Sequence, residues 1–219
     1  MLLADVIHAE PVGCKVMRRA TRFPKFARAS FLSISLLILG IAPSCATLET
    51  AGVPIPEDNW KVGFYSAPGQ KLLGLWKVLG LGSGSIMELI PEDDSIWRWD
   101  RLITIQFFEG LHKNPAAFAI DSISSLQKLC PELTWTVLKE ETNSVTYVWS
   151  ITNCEDQDSQ EELVRILRGN DGLHRVAYSQ KPKISPVSRS KWLDMIEGTI
   201  LFKDGKPVEF VREQGLDDE

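Results

Sequence analysis

Histidine and cysteine are scarce in this sequence, which has three histidines and four cysteines among its 219 residues. Apart from His8 near the amino terminus, only His112 and His174 are present, so the sequence excludes a metal site built from several histidines. No two cysteines form a metal-binding Cys-x-x-Cys pair, and no serine lies in the Gly-x-Ser-x-Gly pattern of many hydrolases. We therefore expect no metal site, no catalytic residues of these kinds and no cofactor.

Positive charge is scarce beyond the first 46 residues. That segment holds six of the 24 Lys and Arg residues and two of the 29 Asp and Glu residues, so the remainder carries a net charge of about −9. Such a balance repels nucleic-acid phosphates, and no basic stripe compensates for it, so we expect no nucleic-acid partner. It also offers no polybasic attraction to anionic lipids, so any membrane attachment has to come from the amino-terminal segment.

Long apolar runs are absent except over residues 31–42, a stretch too short to cross a membrane comfortably, which takes about 20 residues. Six basic residues and no acidic residue lie between residues 15 and 28, and small residues follow the apolar run. A basic flank, an apolar core and a small-residue exit are typical of an export leader. We predict an export leader over residues 1–45, with Met17 as an alternative start; a retained membrane anchor is the alternative.

Cys45 lies at the exit of this leader. Residues 42–45, Ala-Pro-Ser-Cys, resemble the lipobox of bacterial lipoproteins, in which the cysteine thiol receives diacylglycerol. The residue before the cysteine is small, as in a lipobox, whereas Ala42 and Pro43 depart from the usual pattern. The alternative is a cut after Ala46 by a general signal peptidase, which discards Cys45. We expect an exported protein that is periplasmic or associated with the outer membrane, with inner-membrane anchoring as the less favoured alternative.

Two further cysteines, Cys130 and Cys154, lie beyond the leader. An exported chain meets an oxidising compartment, where two remaining thiols tend to pair. They enclose residues 131–153, and a disulfide that closes a loop of that size stabilises a protein by ~3 kcal/mol in the chain-entropy model. The alternative is two buried free thiols, because cysteine is among the most buried residue types. We predict the disulfide.

Helix signals occur twice beyond the leader. Asn114 and Pro115 supply a helix cap and a first-turn proline, and Ser185 and Pro186 do the same further on. Apolar residues follow each pair at helical spacing. They are Ala119, Ile123, Leu126 and Cys130 in the first segment, and Trp192, Met195, Ile196, Thr199 and Ile200 in the second. We predict two amphipathic helices.

Strand patterns occupy most of the remaining chain. Residues 102–108 alternate, which predicts a half-buried strand with Thr104 and Gln106 on its polar face. Residues 134–138 and 145–152 predict one hairpin. Residues 160–168 and 173–179, on either side of a Gly-Asn-Asp-Gly turn, predict another.

The predicted fold class is α+β: an antiparallel sheet of about five to seven strands with two amphipathic helices packed on it. We expect a single domain over residues 60–202, too short for two ordinary domains. Residues 46–59 have no hydrophobic periodicity and contain prolines, which predicts a tether. The composition of residues 203–219 predicts a loose charged tail.

Three polar side chains share one face of the second predicted hairpin. If Asn170 and Asp171 form its turn, the strand register places Arg165 diagonally opposite both His174 and Tyr178. Together these groups are able to bind an anion or move a proton. The alternative is that each is an ordinary long side chain with a local partner.

Seven tryptophans lie beyond the leader, and three of them, Trp60, Trp97 and Trp99, fall on no apparent core face. They are candidates for the rim of a binding surface.

The sequence leaves two classes of function open. One is a non-enzymatic envelope protein, attached to the membrane by a lipid on Cys45, that binds another envelope protein or a small ligand. The other is a small exported hydrolase that uses Arg165, His174 and Tyr178. A pocket lined by titratable groups favours the enzyme, and an exposed apolar surface favours the binding module.

Overall fold

The computed structural model describes residues 49–53, 60–71, 83–152, 154, 157–204 and 206–208, with residues 68–71 described by their backbone alone. In chain order, the strands and helices are β1 (Thr50–Gly52), β2 (Trp60–Lys71), β3 (Ser83–Pro91), β4 (Arg101–Glu109), α1 (Pro115–Leu129), β5 (Thr134–Glu141), β6 (Ser144–Ile151), β7 (Gln160–Arg168), β8 (Gly172–Gln180), α2 (Pro186–Glu197), β9 (Ile200–Lys203) and β10 (Lys206–Pro207).

Seven of these strands form one antiparallel sheet in the order β2-β3-β4-β8-β7-β6-β5. Strands β1, β9 and β10 form a second, three-stranded antiparallel sheet in the order β1-β9-β10. The predicted α+β class, with an antiparallel sheet and two helices, is confirmed. The two edge strands of the large sheet are irregular, because β2 shifts register after Val62 and after Ser66, and β5 shifts after Val137.

Helix α1 begins where the sequence predicts. The side chain of Asn114 accepts a hydrogen bond from the backbone N–H of Ala117 (3.1 Å), and Pro115 occupies the first turn. Phe118 and Ile123 are buried against the large sheet. The strand residues in this cluster are Phe108, Val145, Tyr147, Trp149, Ile151, Val164, Ile166, Leu173 and Ala177. We call the side of the sheet that carries them the α1 face.

Helix α2 packs on the opposite side of the large sheet. Ser185 caps it through a hydrogen bond from the backbone N–H of Ser188 (3.2 Å). Its buried residues, Trp192 and Ile196, belong to a second cluster with Ala51 of β1, Leu201 of β9 and the sheet residues Leu89, Ile103, Leu163, Leu167, Val176 and Tyr178. These sheet residues alternate with those of the α1 face, so they form the other side, which we call the α2 face. The large sheet is thus covered on both sides.

The hairpin of β7 and β8 has the predicted register. Arg168 pairs with Leu173 and Arg165 pairs with Val176, so Arg165 lies diagonally opposite His174 and Tyr178. The predicted polar face of β4 is not solvent-exposed, however. Thr104 and Gln106 are 5% and 1% exposed, because the α1 face that carries them is covered.

The segment that we expected to be a tether is packed in its described part. Thr50–Gly52 pair with β9, and Ala51 and Val53 are buried in the α2-face cluster. The described part of the expected tail is ordered in the same way, because Lys206–Pro207 pair with β9 and Val208 donates a backbone hydrogen bond to Leu201 (2.8 Å). In the described residues the fold therefore runs from residue 49 to residue 208, beyond the predicted limits of 60 and 202.

Candidate functional site

Cys130 and Cys154 lie at disulfide distance, as the sequence predicts. Cys130 directly follows α1 and is buried in the α1-face cluster, and Cys154 follows β6. Their α-carbons are 5.4 Å apart, within the ~4.4–6.8 Å that a disulfide requires. The pair links the carboxyl-terminal end of α1 to the carboxyl-terminal end of β6, one of the strands on which α1 packs.

Arg165 is committed to structural contacts. Its guanidinium donates a hydrogen bond to the backbone carbonyl of Glu197, at the end of α2, where a positive charge also complements the helix dipole. The same group lies 3.6 Å from a carboxylate oxygen of Glu141 in β5 and 3.5 Å from the hydroxyl of Ser144 in β6. Arg165 therefore connects α2 with the β5–β6 hairpin.

His174 is buried beside Glu49. Its ring stacks on Phe107 with centroids 4.7 Å apart, and its Nε2 atom lies 3.9 Å from Oε2 of Glu49. Burial lowers the pKa of His174 to about 4, and the nearby charge of Asp171 offsets this only in part. The imidazole is therefore neutral at pH 7, and its Nε2 atom has no hydrogen-bond partner among the described residues.

Tyr178 forms part of the apolar core of the α2 face. Its ring stacks on Trp192 with centroids 3.8 Å apart, and its hydroxyl donates a hydrogen bond to the side chain of Gln180 (2.9 Å). His174 and Tyr178 are four residues apart on one strand, a separation of roughly 13 Å. The structure thus places Arg165, His174 and Tyr178 on one face, as predicted, but gives each its own partners under the cover of α2 and the small sheet.

A buried polar network on the α1 face is not evident from the sequence. At its centre, the carboxylate of Glu162 accepts hydrogen bonds from Trp149 Nε1 (2.7 Å), the hydroxyl of Ser179 (2.6 Å) and the guanidinium of Arg175. Arg175 also donates to the side-chain oxygen of Gln106 (3.0 Å). The polar members of the network on β4, β7 and β8 are Gln106, Glu162, Arg175 and Ser179. In sequence, polar residues on one side of a strand indicate a solvent-exposed face.

Burial shifts the pKa values of the groups around this network. It raises the pKa of Tyr147 to about 12, so its phenol stays protonated at neutral pH. It also raises the pKa of Glu88, where the opposing effect of the Arg175 charge is smaller. The carboxylate of Glu162 holds the pKa of Arg175 above its ordinary value against the opposing effect of burial. The ion pair links β7 with β8, and its contacts with Trp149 and Gln106 extend the network to β6 and β4.

A second polar cluster surrounds Glu49, whose side chain is fully buried. Its carboxylate accepts hydrogen bonds from the backbone N–H (2.7 Å) and the side-chain amide (2.8 Å) of Asn170. The backbone N–H of Glu49 donates to the carboxylate of Asp171 (3.2 Å), which also lies 3.4 Å from Nζ of Lys203. These contacts attach the residue before β1 to the β7–β8 turn.

Of the three tryptophans predicted to lie on a surface, only Trp97 has a side chain that is largely exposed to solvent. Trp60 packs edge-on against Trp192 (5.7 Å between centroids), and Trp99 lies beneath the ammonium group of Lys181 (4.1 Å). Trp97 is 90% exposed. The preceding residue, Ile96, lies over Gly63, and the neighbours of Gly63, Val62 and Phe64, are exposed. We call the exposed side chains Val62, Phe64 and Trp97 the apolar corner.

Two residues singled out in the sequence, Cys45 and Met17, lie outside the part of the chain that the structure describes. Within the described ranges, no three His, Cys, Asp or Glu side chains are grouped so as to hold a metal ion. Within the same ranges, neither helix has the length and apolar character needed to cross a membrane.

No protein-family model, curated protein or solved structure matches this chain.

Proposed function

We propose that this protein is exported to a bacterial-type cell envelope, is attached to the membrane by a lipid on Cys45, and acts as a binding or assembly module. The observation that carries the proposal is the placement of Cys130 and Cys154 at disulfide distance, with α-carbons 5.4 Å apart. Such pairs persist in oxidising compartments and are rare in the cytosol. The basic flank and short apolar run of the leader support the same destination.

The apolar corner supports a binding role. An aromatic ring as exposed as that of Trp97 contributes little to the stability of its own chain and is available to another molecule. The alternative function, a small exported hydrolase, depends on Arg165, His174 and Tyr178. It is the weaker proposal, because each of these side chains has a structural partner, and His174 and Tyr178 lie roughly 13 Å apart on β8.

Expression of the full chain in a diderm bacterium, followed by intact-mass measurement and cell fractionation, tests the proposal. We expect a mature protein that begins at Cys45, carries the mass of a diacylglycerol group and sediments with membranes. The Cys45→Ala variant should lose the lipid mass. Cys14→Ala is the matched control, because it removes a cysteine upstream of the apolar run, and it should behave as wild type.

The possible results separate the alternatives. A mature chain that begins at Thr47, without lipid and in the soluble periplasmic fraction, would contradict the attachment and leave export intact. A chain that retains residues 31–42 would show a membrane anchor. Wild-type protein in the cytoplasm with two reactive thiols would contradict the proposed function as a whole.

A further inference from the structure

The described part of the fold begins at Glu49, close to Cys45 in sequence. Glu49 is only four positions further on, its side chain is fully buried, and it is hydrogen-bonded to the β7–β8 turn through its carboxylate and its backbone N–H. From there the chain continues into β1, which pairs along its whole length with β9. A chain anchored at Cys45 therefore has three residues, 46–48, between the lipid and a fixed point of the fold.

The four residue steps from Cys45 to Glu49 span at most about 14 Å even when the chain is fully extended. We infer that the lipid on Cys45 holds the domain directly against the bilayer, with one particular end of the large sheet facing the lipid headgroups. That end, which we call the turn end, is the one at which Glu49 is attached. The inference rests on the lipidation in the proposed function and adds to it an interaction surface and a partner, the headgroup layer.

Three connections meet at the turn end. The β7–β8 turn contacts the segment after β4 through a hydrogen bond from the backbone N–H of Gly110 to the carbonyl of Asp171 (2.8 Å). The β5–β6 turn joins it through a hydrogen bond from the backbone N–H of Arg168 to the carbonyl of Asn143 (2.8 Å). The turn end is therefore a set of short polar turns rather than a flat apolar surface.

Charges at the turn end are mixed. Lys203 lies close to Asp171, and Lys113 is paired with Asp121. A mixed-charge surface has no strong electrostatic attraction to anionic lipids, so the covalent lipid has to supply the attachment. Glu140 and Glu141 also lie at this end, beside the β5–β6 turn, and Glu141 is paired there with Lys139 (2.9 Å). The turn end can therefore lie against the headgroups when the lipid on Cys45 holds it there, but it does not bind them on its own.

The apolar corner lies at the other end of the large sheet. Trp97 belongs to the connection between β3 and β4, and β4 runs from this connection to Gly110 at the turn end. Nine residues of extended strand span about 30 Å. With the turn end on the membrane, Trp97 points away from the bilayer, where a partner in the aqueous compartment has access to it.

The test compares a fluorophore at each end in lipidated protein on vesicles. Thr142→Cys places a thiol on the exposed β5–β6 turn, and Trp97→Cys places one at the opposite end. The paired Cys130 and Cys154 and the lipid-bearing Cys45 do not react with the label. The vesicles are phosphatidylcholine with 10% phosphatidylglycerol, with and without a nitroxide on the phosphatidylcholine headgroup. We expect headgroup quenching at position 142 to exceed that at position 97 by at least fivefold.

A spacer variant provides the control. Twelve Gly and Ser residues inserted between Thr47 and Leu48 leave the lipid and the fold in place but release the domain from the bilayer, so quenching at position 142 should fall to the level at position 97. Vesicle-bound, lipidated protein with equal quenching at the two positions, or with no response to the spacer, would overturn the orientation alone. Protein whose mass shows no lipid would overturn the orientation and the lipidation together.

Discussion

His174 shows how burial can turn a single residue into a source of acid sensitivity. Glu49, Asp171 and Phe107 surround it, and burial holds its pKa near 4, against about 6.5 in the unfolded chain. Between these two values the unfolded state binds a proton that the folded state does not. The free energy of unfolding therefore decreases as the pH falls from about 6.5 to 4, by roughly 2–3 kcal/mol from this residue.

Urea unfolding between pH 7.5 and pH 4.5 measures this effect. The His174→Gln variant has no imidazole to titrate, so its free energy of unfolding should change less over this range than that of the wild type, by about 2 kcal/mol. His112→Gln alters an exposed histidine and serves as the control substitution, measured over the same pH range. Parallel pH profiles for wild type and His174→Gln would show that the imidazole is not buried in its neutral form.

At the scale of elements, sequence predicts those whose signals are local. Asn114 and Ser185 cap the two helices, and the Gly-Asn-Asp-Gly turn sets the register of β7 and β8 without reference to the rest of the chain. Strand β1 is different. Glu49 contacts Asn170 across 121 positions of sequence, and only the folded chain brings the two together. Strand β1 is too short to show a periodic pattern, so its sequence does not indicate a contact with residues so distant along the chain.

Gly169 tests the attachment of β1. A Cβ atom at this position would overlap Oε2 of Glu49 and come within 2.9 Å of Nε2 of His174. We expect Gly169→Ala to reduce the free energy of unfolding by about 1–3 kcal/mol, because the carboxylate of Glu49 has to move. In a Glu49→Ala background the same substitution should cost much less. Equal costs in the two backgrounds, measured by urea unfolding, would show that Glu49 does not occupy this position.

At the scale of the whole molecule, the covering of both sheet faces explains why the candidate site was predicted only in part. The register of one hairpin is enough to place Arg165, His174 and Tyr178 on a common face. The cover that α2 and the small sheet provide depends on contacts with Trp192 and Leu201, which lie outside the hairpin and are brought onto it only by folding. The network around Glu162 was not predicted for a related reason. Polar residues on one side of a strand indicate a solvent-exposed face unless it is known that a helix covers that face.

The bond between Cys130 and Cys154 should support the fold as a whole. Reduction should lower the free energy of unfolding by ~3 kcal/mol, which corresponds to a decrease of about 6–12 °C in Tm for a domain of this size. The double variant Cys130→Ala/Cys154→Ala should melt at one temperature with and without reductant. A wild-type Tm that does not respond to reductant, together with two reactive thiols in the unfolded, unreduced protein, would contradict the bond.

The irregular edges of the large sheet have a consequence for behaviour at high concentration. An edge strand with a regular row of free N–H and C=O groups serves as a template on which other copies aggregate. Strand β2 shifts register after Val62 and again after Ser66, and β5 shifts after Val137, just before the charged residues 139–141. Such interruptions leave neither edge with a long straight row for a further strand to follow. We therefore expect the edges of the sheet, as far as the structure describes it, to be poor templates for fibril growth.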